Sequence, residues 1–240
     1  MKYALVTSST SGIGKSIGKL LNKNGYFVFF NYSSNEENRI KLEEELRYEV
    51  FNNRYSIIKL DLSNIENVDK LYEEVLKETN KIDVLILNTA ITDRSNFEDI
   101  EIDNWNKVLD VNLSIPFFIT QKFSSIINNN GRIIFIGALM GKIPHAISIS
   151  YAVSKAGLHM LAKSLVKVFK DREITVNTII PGFISTNWQS LKPEDQRKRI
   201  EDKIALGRFG TPEEVAMICK NVVDNDYING AEIHIDGGYQ

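Results

Sequence analysis

Tyr151 and Lys155 stand four residues apart in "SYAVSKAG", a spacing that puts both side chains on one face of a helix. A free phenol ionises near pH ~10, too high for ready proton exchange at neutral pH. A neighbouring ammonium favours the phenolate and lowers that value. The pair therefore suits proton chemistry, with Tyr151 as acid or base and Lys155 as its electrostatic partner. Two such residues also occur on ordinary helix faces, so their meaning depends on what precedes them. "TSSTSGIG", Thr7 to Gly14, follows the apolar run YALVT and leads straight into the helical KSIGKLLNKNG. A Gly-rich turn from strand to helix lets backbone N–H groups face a phosphate. A tight capped turn would use similar residues. After the first buried strand of an alternating chain, a pyrophosphate site is the stronger reading.

The elements that must position these groups follow from hydrophobic pattern. Apolar runs of strand length occur at Tyr3 to Thr7, Tyr26 to Phe30, Tyr55 to Leu60, Val84 to Leu87, Arg132 to Ile136, Thr175 to Ile180 and Ala231 to Ile235. Their hydrophobicity is continuous rather than alternating, as in parallel strands buried on both faces. Between them lie helix-length segments such as Asn35 to Phe51 and Asn64 to Thr79, apolar at three- and four-residue spacing. This alternation predicts an α/β fold: a doubly wound parallel sheet with helices on both faces. No Pro- or Gly-rich linker or internal repeat divides the chain, so residues 1–240 read as one domain. "NNNGR" after Ile127 reads as a helix end and turn before the next strand. "EENRIKLEEELRYE" mixes both charge signs at helical spacing and reads as a solvated helix face.

The net charge is −2 and the basic residues are scattered, which marks neither a nucleic-acid nor a membrane surface. No apolar run approaches the ~18 residues of a membrane span. The single cysteine, Cys219, falls in the helical EEVAMICKNVV and reads as a small core residue. One cysteine permits no internal disulfide, and a reducing cytoplasm is the expected setting. His145, His159 and His234 lie far apart without ligand spacing, so no metal site is expected.

With these motifs in this order, the chain resembles the short-chain dehydrogenase/reductase family over essentially its whole length, and the implied fold is of the Rossmann type. The family's T-G-x-x-x-G-x-G reads here from Thr7 to Gly14, with Ser8 in place of the first glycine. The resemblance implies that Ser9, Ser11, Gly12, Ile13 and Gly14 bind the cofactor in this turn. It implies that Asp61 and Leu62, in "LDL", bind its adenine end. Asn88 and Ala90, in "LNTAI", are similar to the family's N-N-A-G, from which Thr89 and Ile91 depart. Pro181, Gly182, Ile184 and Thr186, in "PGFIST", resemble the segment that holds the nicotinamide carboxamide. "GRFGTPEEVA" and the terminal "IDGG" resemble further family signatures. Tyr151 and Lys155 match the family's catalytic pair and would also touch the cofactor. Asn112, in "LDVNLSIPFF", matches its helix asparagine, which helps to hold a water chain to the lysine.

A dinucleotide fold usually declares NAD with an acid at the end of the second strand. Tyr32 occupies that place, so a 2′-phosphate meets no repulsion, and Ser33 or Ser34 could bond it. Ser11, just before Gly12, is a position where NADP-preferring relatives often carry a base. NADP(H) is favoured on balance and NAD(H) stays open.

The resemblance also implies a serine 13 residues before the tyrosine, which donates a hydrogen bond to the substrate oxygen. Ala138 occupies that position, in "FIGALMG". Losing one such donor costs about 10²–10³ in rate. Ser148 is a candidate replacement, or pocket lining; Ser150 and Ser154 read as capping or packing residues. His145 reads more readily as a surface-loop residue than as one pointing into the pocket. Residues 186–207 match the family's substrate lid, in which Trp188 lines the pocket or packs the lid on the body. The implied function is hydride transfer between nicotinamide and a small-molecule carbonyl or alcohol, nearest the β-ketoacyl-acyl-carrier-protein reductase branch. The related enoyl reductases carry a wider Tyr–Lys spacing. The alternative is a catalytically impaired cofactor-binding protein with a sensing or structural role. The family's assembly implies a homotetramer, with a dimer as the other outcome.

Overall fold

All seven apolar runs form strands: β1 (Lys2–Val6), β2 (Tyr26–Tyr32), β3 (Tyr55–Lys59), β4 (Ile82–Leu87), β5 (Ile127–Ile136), β6 (Thr175–Pro181) and β7 (Glu232–Ile235). The computed structural model describes residues 1–49, 54–144, 147–190 and 192–239. The strands make one parallel sheet in the order β3-β2-β1-β4-β5-β6-β7. The helices are α1 (Gly12–Lys23), α2 (Glu36–Glu49), α3 (Asn67–Leu76), α4 (Ile102–Leu109), α5 (Ile115–Phe123), α6 (Ile149–Val168), α7 (Asn187–Ser190), α8 (Glu194–Glu201) and α9 (Pro212–Asp224).

Period-two geometry sends alternate strand residues to opposite faces. Ala4, Val6, Val28 and Phe30 join a core with residues of α1, α2 and α9. Leu5 and Phe29 join the opposite core with α3, α5 and α6. Burial on both faces explains why the strands read as continuous apolar runs. "TPEEVA" starts α9 with a capping box: Thr211 accepts the Glu214 amide, and Glu214 accepts the Thr211 amide.

The "NNNGR" segment differs from its expected place. β5 already begins at Ile127, which pairs with Ile82, and the next pair is Val84 with Arg132. The extra residues on β5 are accommodated as an irregularity within the strand, where Asn130 takes a left-handed φ of 61°. Strand order reverses at β1, whose neighbours are β2 and β4. Ligands of such sheets bind beyond the carboxyl ends of the strands at this point.

Candidate active site

The turn after β1 is built around Thr7 and Ser9. The Thr7 hydroxyl accepts the amides of Asn88 (2.9 Å) and Thr89 (3.1 Å), tying β1 to the end of β4. The Asn88 amide group donates to the Thr7 and Ser8 carbonyls. Buried Ser9 donates to the Val6 carbonyl and accepts the Asn31 amide, so its hydroxyl serves the turn itself. Ser8 takes a left-handed φ of 49°. Its hydroxyl pairs with that of Thr89 at 2.8 Å, and its amide donates to Asn31 Oδ1. Two of the departures from the family pattern, Ser8 and Thr89, therefore meet each other.

Ser11 is the α1 N-cap, in extended conformation and without a side-chain capping bond. The first N–H groups of α1, from Gly12, Ile13 and Gly14, thus lack a cap, as an anion site requires. A Cβ on Gly14 would lie 2.5 Å from the Ser8 carbonyl and 2.6 Å from Asn88 Nδ2, so the backbones leave no room for a side chain. A Cβ on Gly12 would lie 3.3 Å from Thr186 Cγ2. This brings the end of the "PGFIST" segment, with buried Pro181 and Ile184, against the turn. These features fit a dinucleotide pyrophosphate.

Tyr151, Lys155 and Ser154 lie on the first turns of α6. Lys155 is 2% exposed; its Nζ donates to the Ile136 carbonyl (2.7 Å) and lies 5.7 Å from the Tyr151 ring centroid. Burial pushes Lys155 down to about 7 and the Tyr151 hydroxyl up to about 12. The expected lowering of Tyr151 is not found: desolvation dominates both groups, and it disfavours each charged form. Asn112 sits in a π-helical turn (Asp110–Ser114) between α4 and α5, where the Ile115 amide bonds the Asp110 carbonyl. Its side chain donates to the Ile91 carbonyl and Ser154 Oγ and accepts the Ile91 amide. Ser154 also donates to the Tyr151 carbonyl, so it braces the site rather than capping the helix. Asn112 and Tyr151 are thereby linked through Ser154.

Ala138 follows β5 in extended conformation and is buried. Ser148 is the α6 N-cap, buried and left-handed at φ 65°, and makes no side-chain capping bond. Ser150 is buried with no partner for its hydroxyl among the described residues. Trp188 of α7 packs its ring 6.1 Å from that of Tyr151, which brings the lid segment to the site. His145 lies outside the described residues.

At the end of β2, Tyr32 is buried and donates to Glu36 Oε1 at 2.9 Å. Glu36 also pairs with Lys59 (2.6 Å) and Arg39 (2.8 Å), and these bonds hold its carboxyl at about 2. Ser33 and Ser34 follow, exposed. Asp61 is exposed just past β3, accepts the Ser63 amide, and adjoins buried Leu62. Lys59 and Arg39 escaped the sequence reading. Their signal was the register that sets Tyr32 opposite Lys59, legible only once β2 and β3 are paired. Among the described residues no group of three His, Cys, Asp or Glu side chains could hold a metal ion, and no helix is long and apolar enough to cross a membrane.

A strand-turn-helix anion cradle and a Tyr-Lys helix face at one edge of a doubly wound sheet define a class of nucleotide-dependent α/β proteins. The family model described as enoyl-(acyl carrier protein) reductase matches residues 7–240. The 3-oxoacyl-[acyl-carrier-protein] reductase of Aquifex aeolicus is 34% identical over 247 residues, covering 99% of this chain and 96% of the relative. That of Rickettsia prowazekii is 34% identical over 241 residues, with the same coverage. A short-chain dehydrogenase/reductase from Serratia marcescens superposes with a TM-score of 0.92 at 27% identity, covering 99% and 97% of the two chains. A short-chain dehydrogenase from Burkholderia cenocepacia, solved in complex with NADP, gives 0.91 at 27% identity and the same coverage. The chain belongs to the short-chain dehydrogenase/reductase family, in its β-ketoacyl-acyl-carrier-protein reductase-like branch.

Proposed function

We propose that the protein is an NADP(H)-dependent oxidoreductase that transfers a hydride between nicotinamide and a small-molecule carbonyl or alcohol. The observation that carries this reading is the helix face of α6, with Tyr151 over buried Lys155, at the same carboxyl end of the parallel sheet as the uncapped N-terminus of α1. When bound, the nicotinamide supplies or takes the hydride. Tyr151 gives its hydroxyl proton to the carbonyl oxygen during reduction and takes it back during oxidation. Lys155, in its protonated form beneath the phenol, stabilises the phenolate that this transfer creates. Asn112, through Ser154 and the Ile91 peptide, keeps the α6 face in register with the end of β4. Ser11, Gly12, Ile13, Gly14, Asn88, Ala90, Pro181, Gly182, Ile184 and Thr186 line the cofactor's path, with Asp61 and Leu62 at its adenine end.

Lys59 and Arg39 support the NADP(H) preference. Both are held by Glu36, and a 2′-phosphate arriving beside Tyr32 and Ser33 would take the carboxylate's place between them. Lys59→Ala should raise the NADPH KM about tenfold and leave that for NADH unchanged. Equal effects on both cofactors would return the choice to NAD(H). Residues 1–240 act as one domain, and the lid around 186–207 carries α7 and α8. Its far end is tied down by the pairing of Ile204 with Tyr239. Exposed Val153, Met160 and Val168 on α6, with Phe118 on α5, support a homotetramer or dimer, measurable by light scattering. Single buried Cys219 supports a cytoplasmic setting.

Ala138 favours a second reading, a cofactor-binding protein with a sensing or structural role. The discriminating experiment measures NADPH oxidation with activated ketones and β-ketoacyl thioesters, comparing wild type with Ala138→Ser and running NADH in parallel. Turnover by wild type supports the enzyme. Silence from wild type and rescue by the serine would make the sensing or structural reading the better one.

A further inference from the structure

We propose that His159 is a positioning residue of the active site: its imidazole accepts the Ala138 amide hydrogen and fixes the backbone of residues 137–141 beside Tyr151. The consequence for catalysis rests on the reductase reading, whereas the hydrogen bond itself does not.

His159 follows Lys155 by the same four-residue step that separates Lys155 from Tyr151, so all three side chains lie on one face of α6. It is 2% exposed, and its Nε2 stands 3.3 Å from the Ala138 amide nitrogen. Two consecutive peptide units, 136–137 and 137–138, are thereby held from two elements. Lys155 bonds the Ile136 carbonyl, the Ile179 carbonyl of β6 accepts the Gly137 amide at 2.8 Å, and His159 takes the Ala138 amide. The imidazole also fills the space between two glycines. A Cβ on Gly137 would lie 2.3 Å from Nε2, and one on Gly141 would lie 2.8 Å from Cε1.

Packing alone does not account for a histidine here. With Nε2 accepting, the ring proton resides on Nδ1, which is buried without a partner among the described residues. An unpaired buried donor is unfavourable, and an aliphatic side chain would fill the volume without one. What an aliphatic residue lacks is the acceptor. Burial, with Lys142 and Lys155 nearby, pushes the imidazole down to about 4, so the accepting form persists at neutral pH. The bond acts on residue 138, where relatives place the substrate's donor, and so positions the peptide that borders the reacting oxygen.

Two measurements test this. In wild-type protein, nitrogen-15 NMR of the His159 ring should show a protonated Nδ1 and a bare Nε2. The opposite tautomer overturns the inference whether or not the protein is an enzyme. In kinetics, His159→Leu should lower kcat/KM for a ketone by about 10–10²-fold, with NADPH affinity and melting temperature near wild type. His159→Gln, whose amide oxygen can accept the same N–H, should recover most of that loss. Equal losses in both variants, or none in either, overturn it. If wild type reduces no ketone, the reductase reading fails, and the ring tautomer with Ala138 amide exchange in His159→Leu decides this inference. Faster exchange in that variant supports it, and unchanged exchange overturns it.

Discussion

The turn after β1 and the loop after β5 each carry a residue foreign to the family pattern, and they accommodate it by different means. In the turn, Ser8 replaces glycine yet holds the left-handed conformation that glycine would adopt, at φ 49°. That conformation costs a side-chain-bearing residue roughly 1–2 kcal/mol. Its hydroxyl bond to Thr89 offsets the cost by about 1 kcal/mol, whereas the amide bond to Asn31 is one that a glycine would also make. In the loop, Ala138 keeps an ordinary extended backbone and its amide finds His159, but its methyl group carries no hydrogen-bond donor. A binding turn needs a backbone shape, which several side chains can hold. A donor to a reacting oxygen needs one atom at one point.

The largest test of this contrast is Tyr151→Phe. Its kcat should fall about 10²–10⁴-fold while NADPH still binds, as seen by fluorescence titration. Surviving activity would mean that the chemistry does not run through α6. Gly14→Ala should act the other way round. Its methyl group collides with the Ser8 carbonyl and Asn88, so NADPH affinity should drop tenfold or more, about 1.4 kcal/mol or above. Retained affinity would show that the turn yields more readily than its packing implies.

Lys155→Met probes the cost of the buried ammonium. The group falls from 10.5 to about 7 on folding, so the unfolded chain binds more protons between those values. Stability therefore rises with pH across that window, and the deficit is complete below its lower end. The variant should melt several degrees above wild type near pH ~7 without cofactor, and the gap should shrink near pH ~9.5. Tyr151 is raised from 10.0 to about 12, so its contribution is intact below that range and is lost as pH rises across it. A pH-independent gap would reject burial of charge as the cause. The smallest effect belongs to Ser8→Gly, within about 1 kcal/mol of zero because relief of strain and loss of the hydroxyl pair oppose each other. A double-mutant cycle with Thr89→Val should return a coupling of about 1 kcal/mol, and none would mean that the pair is inert.

Much of this was legible before any coordinates. The seven runs became strands because burial on both faces leaves a continuous apolar signature, and Tyr151 with Lys155 could be read because helix period fixes their common face. His159 sits on that same face, but a lone histidine tested for metal spacing shows no partner, since its partner is a backbone amide 21 positions away. The Ser8–Thr89 pair was illegible for the same reason, being a contact between strand ends. The bulge in β5 escaped because Asn and Gly signal a turn whether the chain reverses or merely kinks. The upward shift of Tyr151 reflects desolvation, which spacing cannot convey.

The ties between β1 and β4 also set when the site can come into being. Thr7 meets Asn88, and Ser8 meets Thr89, across 81 positions of chain. A growing chain that has completed β3 holds three strands that pair with one another, yet its first turn has no floor. Pairings of such long range close slowly. The cradle is therefore a late acquisition, and a dinucleotide that binds there can stabilise only those chains in which β4 has already docked.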